Sequence, residues 1–138
     1  MDILKELWGK TPCGKEIFRY TLKNEKGAYV QLSNIGAGIV SVVVPDKDGV
    51  LADVVLGYDD PMNYFGDGPC AGKIPGRFAN RIALGKFELD GKEYTLPKHG
   101  YAKNTLFDVE SVTETTAVFL HKSNDETKVH FPFDYELR

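Results

Sequence analysis

A chain of 138 residues, 42% apolar and 27% charged, is long enough to bury a core and has the composition of a soluble globular protein. Its 17 basic and 20 acidic residues give a formal net charge of −3 without any long block of one sign, so the charge gives no reason to expect nucleic acid or an anionic membrane as partner. Fourteen Gly and seven Pro fall between short apolar runs, which predicts a β-rich protein with many turns.

The N-terminal stretch is the one place with helical spacing, through Ile3, Leu4, Leu7 and Trp8, and it predicts a short helix over residues 1–8. It has no apolar signal-peptide core, and the β-branched run at 39–44 is far too short to span a bilayer. A cytoplasmic protein is expected. Residues 17–22 and 28–32 read as strands on either side of an Asn24-Glu25-Lys26-Gly27 turn. Gly36-Ala37-Gly38 leads into a strand at 39–44, which Pro45 ends because it lacks a ladder donor. Asp46-Lys47-Asp48-Gly49 turns the chain toward a further strand at 53–57.

From 59 to 75 the loop signals Asp60-Pro61, Gly66-Asp67-Gly68-Pro69 and Pro75-Gly76 follow in close succession. A loop this long in a compact domain is usually functional or disordered. Residues 86–96 then alternate around Asp90-Gly91, the strongest short-range hairpin signal in the chain. Further strands are expected at 107–112, 116–121 and 129–137, with a turn at 123–126. The whole reads as one all-β unit over residues 1–138.

Familiar ligand motifs are absent. A calcium loop starting at Asp46 would need Gly where Leu51 stands and Glu where Gly57 stands. Gly36-x-Gly38 lacks a third glycine and precedes a strand, so it is no dinucleotide loop. No two histidines stand at metal-ligand spacing. His121 and His130 read as surface or strand-edge residues, whereas His99 follows the hairpin and opens a loop. Cys13 and Cys70 leave a disulfide open, but two reduced thiols in a cytoplasmic protein are the preferred reading.

Several ordered segments resemble the aldose 1-epimerase (galactose mutarotase) family. Trp8-Gly9-Lys10-Thr11 and Gly14-Lys15-Glu16 open the chain in the family's manner. The stretch from Ser33 through Ser41 resembles its N-x-G-A-x-I-x-S strand, and Asp53-Val54-Val55-Leu56-Gly57-Tyr58 its D-V-V-L-G-Y/F strand. Gly76-Arg77-Phe78-Ala79-Asn80-Arg81-Ile82 is similar to G-R-x-A-N-R-I, the most specific element, and the hairpin from Phe87 to Tyr94 follows in order.

The resemblance implies an antiparallel β-sandwich of the galactose mutarotase type (a supersandwich), of which this chain is the N-terminal portion. It implies interconversion of the α and β anomers of a free hexose, with neither metal nor organic cofactor. It carries sugar binding to Asn80 and Arg81, placed at a loop or bulge so that neighbouring side chains reach one ligand. His99-Gly100 aligns with the family's H-G-G, whose His lines the cleft and assists catalysis. Here Pro97-Lys98 leads straight to His99, and Gly100-Tyr101-Ala102-Lys103 is closer to the hexose-phosphate mutarotase-like branch. Lys103 would then favour an anionic sugar, or simply be solvated. The stretches holding the family's acid, a second His, and its base, a late Glu, do not occur in this sequence. A non-catalytic carbohydrate-binding module therefore stays open beside the enzyme reading, and open sheet edges admit self-association.

Overall fold

The computed structural model describes residues 2–66 and 68–138, so Met1 and Asp67 lie outside the description. The first strands are β1 (Asp2–Lys10), β2 (Glu16–Lys23), β3 (Tyr29–Ser33), β4 (Gly38–Pro45) and β5 (Leu51–Asp53). They form one antiparallel sheet in sequential order. The expected N-terminal helix is therefore a strand from Asp2 onward. A helix that short gains little by itself, whereas β1 finds a ladder partner in β2, with Ile3 opposite Leu22 and Leu7 opposite Phe18. A bulge between Leu7 and Gly9 breaks the alternation and brings Trp8 edge-on to Tyr64 at 5.6 Å. Leu4 and Leu7 are exposed on this strand, so the helix-like spacing of its apolar residues marks no buried helical face.

The strand expected at 53–57 ends instead at Asp53. Its Oδ1 accepts the Val55 main-chain N–H at 3.0 Å and the Val42 N–H at 3.1 Å, which turns the chain away from the ladder. Ser41 and these main-chain donors also hold the Asp53 carboxyl below its ordinary pKa. The following segment, residues 59–75, folds back on the sheet. Its buried Lys73 donates to the Tyr64 carbonyl and to Asn104 Oδ1 at 3.4 Å.

The expected hairpin is present as β6 (Lys86–Leu89) and β7 (Lys92–Thr95). Asp90 and Gly91 take φ of +53° and +73°, the double left-handed turn that suits the right-handed twist of a hairpin. A three-stranded sheet contains β8 (Asp108–Val112), β9 (Ala117–Lys122) and β10 (Glu136–Leu137), in the order β10-β9-β8. Between β9 and β10 the expected turn is a one-turn helix, α1 (Asp125–Lys128). Asn124 and Thr127 cap it reciprocally. The strand expected at 129–137 is reduced to β10, because Pro132 can donate to no ladder and Phe131 and Phe133 pack on Tyr94 instead.

Three apolar clusters hold these parts. Tyr20 and Leu22 of the larger sheet meet Phe107 and Phe119, with Val30, Leu32, Val109 and Val112 around them. Ile17, Ile35 and Val40 pack on Tyr64 from the 59–75 segment. Tyr94, Leu96 and Phe131 join the hairpin to the chain beyond α1. Within that cluster Phe87, Tyr94 and Phe131 stack pairwise at 5.6–5.7 Å. The architecture is all-β, of antiparallel sheets with a single turn of α-helix among the described residues. No helix there is long and apolar enough to cross a membrane. Cys13, exposed, and Cys70, buried, are both free thiols.

His121 departs from expectation: it is buried, not a surface residue. It stacks on Phe107 at 5.0 Å and its Nδ1 lies 2.8 Å from the Tyr135 hydroxyl. Burial pushes its pKa down, opposed by the Asp108 carboxylate. A depressed folded pKa means that the unfolded chain binds the proton more readily. This group's contribution to stability is therefore full above the ordinary value of 6.5 and is lost as pH falls through the folded value. Denaturation by urea should show stability falling from about pH 7.5 to about pH 5, with a shallower fall in His121→Gln.

One close approach fixes the loops. Gly76 and Gly100 form a parallel bridge between two segments that are otherwise not strands. Gly100 has φ +64°, and a Cβ there would stand 2.2 Å from the Gly76 carbonyl oxygen. Gly91 also has positive φ, at +73°, but a Cβ there would meet nothing within 4 Å. Gly91→Ala should therefore cost about 1 kcal/mol of backbone strain, while Gly100→Ala should cost about 3 kcal/mol or more, measured by urea denaturation.

Candidate functional site

The segment Gly76–Ile82 carries a run of alternating destinations. Arg77 lays its guanidinium over the Tyr135 ring at 4.0 Å and the Phe131 ring at 5.5 Å. Such stacking favours a delocalised cation without removing it wholly from water. Phe78 sets its ring edge-on to Phe87 at 5.9 Å and to Phe131 at 6.3 Å, and is itself half-exposed. Ile82 packs on the same aromatic cluster. These three anchor the loop from below. Between them Asn80 and Arg81 are exposed, and neither side chain makes a hydrogen bond or ion pair among the described residues.

Asn80 and Arg81 lie in irregular chain just before the turn at Ala83–Gly85, and Asn80 has φ +63°. A single left-handed residue reverses the local direction of the chain, and Asn tolerates this better than most side chains. His99 is left-handed as well, at φ +65°. The two meet across the loops in both directions. His99 N–H donates to the Asn80 carbonyl at 2.9 Å, and Asn80 N–H donates to His99 Nδ1 at 3.0 Å. Gly76 N–H donates to the His99 carbonyl at 3.0 Å, while Tyr101 and Ala102 both donate to the Gly76 carbonyl, at 2.8 and 2.9 Å. Five main-chain donors thus lock the residue pair in place.

The structure brings Asn80 and His99 into contact, with Arg81 adjacent in the chain. His130 stands apart from them as an exposed ring stacked on Tyr101 at 4.1 Å, its Nδ1 3.0 Å from the Tyr101 hydroxyl. Burial raises the pKa of Tyr101, and it raises that of Tyr135 against the opposing influence of Arg77. Glu136 is held by Lys122 at 3.0 Å and Arg138 at 2.8 Å, which keep its carboxyl below the usual range. The pairings of Arg77, Tyr101 and Tyr135 were not legible in the sequence, since they join residues far apart in the chain with no shared motif.

A cavity of about 320 Å³ opens beside the loop, lined by Arg77, Phe78, Ala79 and Tyr135 among others. A larger, polar one of about 500 Å³ is lined by Cys13, Lys15, Asp108, His121 and Asn124, and shares no lining residue with the loop. Among the described residues no three His, Cys, Asp or Glu side chains gather in a way that could hold a metal ion.

Comparison with known proteins agrees with these segments. The family model described as aldose 1-epimerase matches residues 19–138. The probable aldose 1-epimerase of Arthroderma benhamiae is 46% identical over 68 residues, covering 46% of this chain and 16% of that protein. The galactose mutarotase of Rattus norvegicus is 35% identical over 98 residues, covering 70% of this chain and 28% of that protein. The aldose 1-epimerase of Escherichia coli is 34% identical over 99 residues, with 71% and 29% covered. The matched segment therefore covers less than a third of the length of each relative.

Among solved structures, the aldose epimerase homologue of C. elegans matches with a TM-score of 0.66 at 28% identity, over 77% of this chain and 36% of that one. The galactose 1-epimerase of Lactobacillus acidophilus matches with a TM-score of 0.70, over 92% of this chain and 40% of that one. Its identity of 20% makes that second likeness one of fold. The fold and the family model lead to one conclusion: this chain belongs to the aldose 1-epimerase family.

Proposed function

We propose that this chain carries the sugar-binding portion of an aldose 1-epimerase and holds a free aldohexose such as galactose at Asn80, Arg81 and His99. The observation that carries the reading is the two-way hydrogen-bonded contact of Asn80 with His99, which fixes the backbone while leaving the Asn80 and Arg81 side chains exposed and unengaged. A guanidinium offers a rigid fork of donors, and a carboxamide offers both a donor and an acceptor. Together they match the alternating lone pairs and O–H groups of vicinal hydroxyls. The two free thiols fit the cytoplasmic setting that this reading carries with it.

The anomer exchange itself needs a base to take the C1 hydroxyl proton and an acid to protonate the ring oxygen as its bond to C1 breaks. Rotation about C1–C2 and reclosure then deliver the other anomer. His121, His130 and Glu136 are committed elsewhere, to Phe107 and Tyr135, to Tyr101, and to Lys122 and Arg138 respectively. Binding, rather than turnover, is the role assigned to these residues, and a full catalytic pair is assigned to none of them. The second reading, a carbohydrate-binding module without acid–base chemistry, uses the same binding residues.

Calorimetric titration with D-galactose tests the site. Arg81→Ala should weaken binding by at least about tenfold, the loss expected for a hydrogen bond from a charged donor. Asn80→Gly should weaken it similarly while leaving the unfolding free energy from urea denaturation within about 0.5 kcal/mol, since Gly accepts the left-handed backbone. Unchanged affinity in both would sink the assignment. Polarimetry of freshly dissolved α-D-galactose should show no acceleration by this chain over the spontaneous rate. Acceleration would place an acid and a base within these residues and overturn the second reading.

A further inference from the structure

The contact between Asn80 and His99 also fixes where a proton sits. Asn80 N–H donates to His99 Nδ1 at 3.0 Å. An N–H can donate only to a nitrogen that keeps its lone pair, so Nδ1 is unprotonated in this arrangement. A neutral imidazole then carries its one proton on Nε2. The geometry depends on the backbone rather than on the Asn80 side chain: both residues have left-handed φ, and the return bond from His99 N–H to the Asn80 carbonyl closes the pair at 2.9 Å. The Gly76 and Gly100 crossing keeps the two segments from separating.

Resting on the reading of this loop pair as a sugar site, we propose that the Asn80 main chain is a positioning group that holds His99 in the Nε2–H tautomer, so that the ring meets a sugar oxygen as a hydrogen-bond donor. This divides the work among the three residues. Arg81 can only donate, and His99 donates through Nε2, so the Asn80 carboxamide oxygen is the one side-chain acceptor of the three. A donor-rich trio grips the lone pairs of the ring oxygen and hydroxyl oxygens. It cannot take the proton from the C1 hydroxyl, because Nε2 already carries one and Nδ1 is occupied by Asn80. The base of the anomer exchange is therefore a group other than His99.

Two measurements test this. Long-range proton–nitrogen correlation spectra of the unmodified chain, labelled with nitrogen-15, read the tautomer directly and require no variant. The expected result is an unprotonated signature at Nδ1 and a protonated one at Nε2 of His99, with the Nε2 signal moving on addition of D-galactose. The second measurement compares two substitutions by calorimetry. In His99→Gln the amide group reaches the position of Nε2–H, whereas in His99→Asn the side-chain oxygen replaces Nδ1 as acceptor and the outer donor is lost. His99→Gln should keep galactose affinity within about threefold, and His99→Asn should lose at least about tenfold. A proton found on Nδ1, or the reverse order of affinities, overturns the proposal. A folded chain with the Nε2–H tautomer but no response to galactose supports the positioning by Asn80 and overturns the sugar reading instead.

Discussion

The chain at Gly100 can approach the Gly76 main chain this closely only because Gly100 carries no Cβ, which would stand 2.2 Å from the Gly76 carbonyl oxygen. The Gly76 carbonyl collects the N–H groups of Tyr101 and Ala102, and the His99 carbonyl takes the Gly76 N–H. Backbone groups that would otherwise need water or a strand partner are thereby satisfied within irregular chain. Asn80 and His99 face one another because this crossing sets their separation. Remove it, and Asn80 and His99, 19 positions apart in sequence, have little to hold them together.

The crossing rests on an aromatic floor. Phe87 and Tyr94 from the hairpin stack with Phe131, which the segment beyond α1 supplies, and Arg77 and Phe78 settle on the same rings. Each edge or stacking contact of this kind adds roughly 0.5–1.5 kcal/mol beyond burial. The loop is held from below by apolar contact and from the side by main-chain hydrogen bonds. Its polar side chains remain available at the top. A neutral, hydroxyl-rich ligand is well served by such a surface, since fixed donors spare the entropy of ordering them on binding.

Much of this was legible in the residues. The Asp90-Gly91 turn, the β-branched run stopped by Pro45 and the antiparallel order of the early strands follow from local chemistry, and local chemistry is what a sequence displays. Where a side chain redirected the backbone, reading by residue type failed. Asp53 captures Val55 N–H and cuts a strand short, and Asn124 and Thr127 wind a helical turn. His121 was misplaced because its burial comes from Phe107 and Tyr135, neighbours in space but not in sequence. Of the candidate site, the motif named Asn80, Arg81 and His99, but the hydrogen bonds joining the first and last depend on two left-handed residues that no pattern reveals.

The most direct test of the account is to locate bound sugar on the chain. Titrating D-galactose into the nitrogen-15-labelled protein, and following each amide and the histidine rings, maps the contact without altering any residue. The account predicts that shifts concentrate at Asn80, Arg81, His99 and Gly100, with little change around the larger polar cavity that Cys13, Lys15 and His121 line. Shifts confined to that cavity, with Asn80 through His99 unmoved, would contradict it.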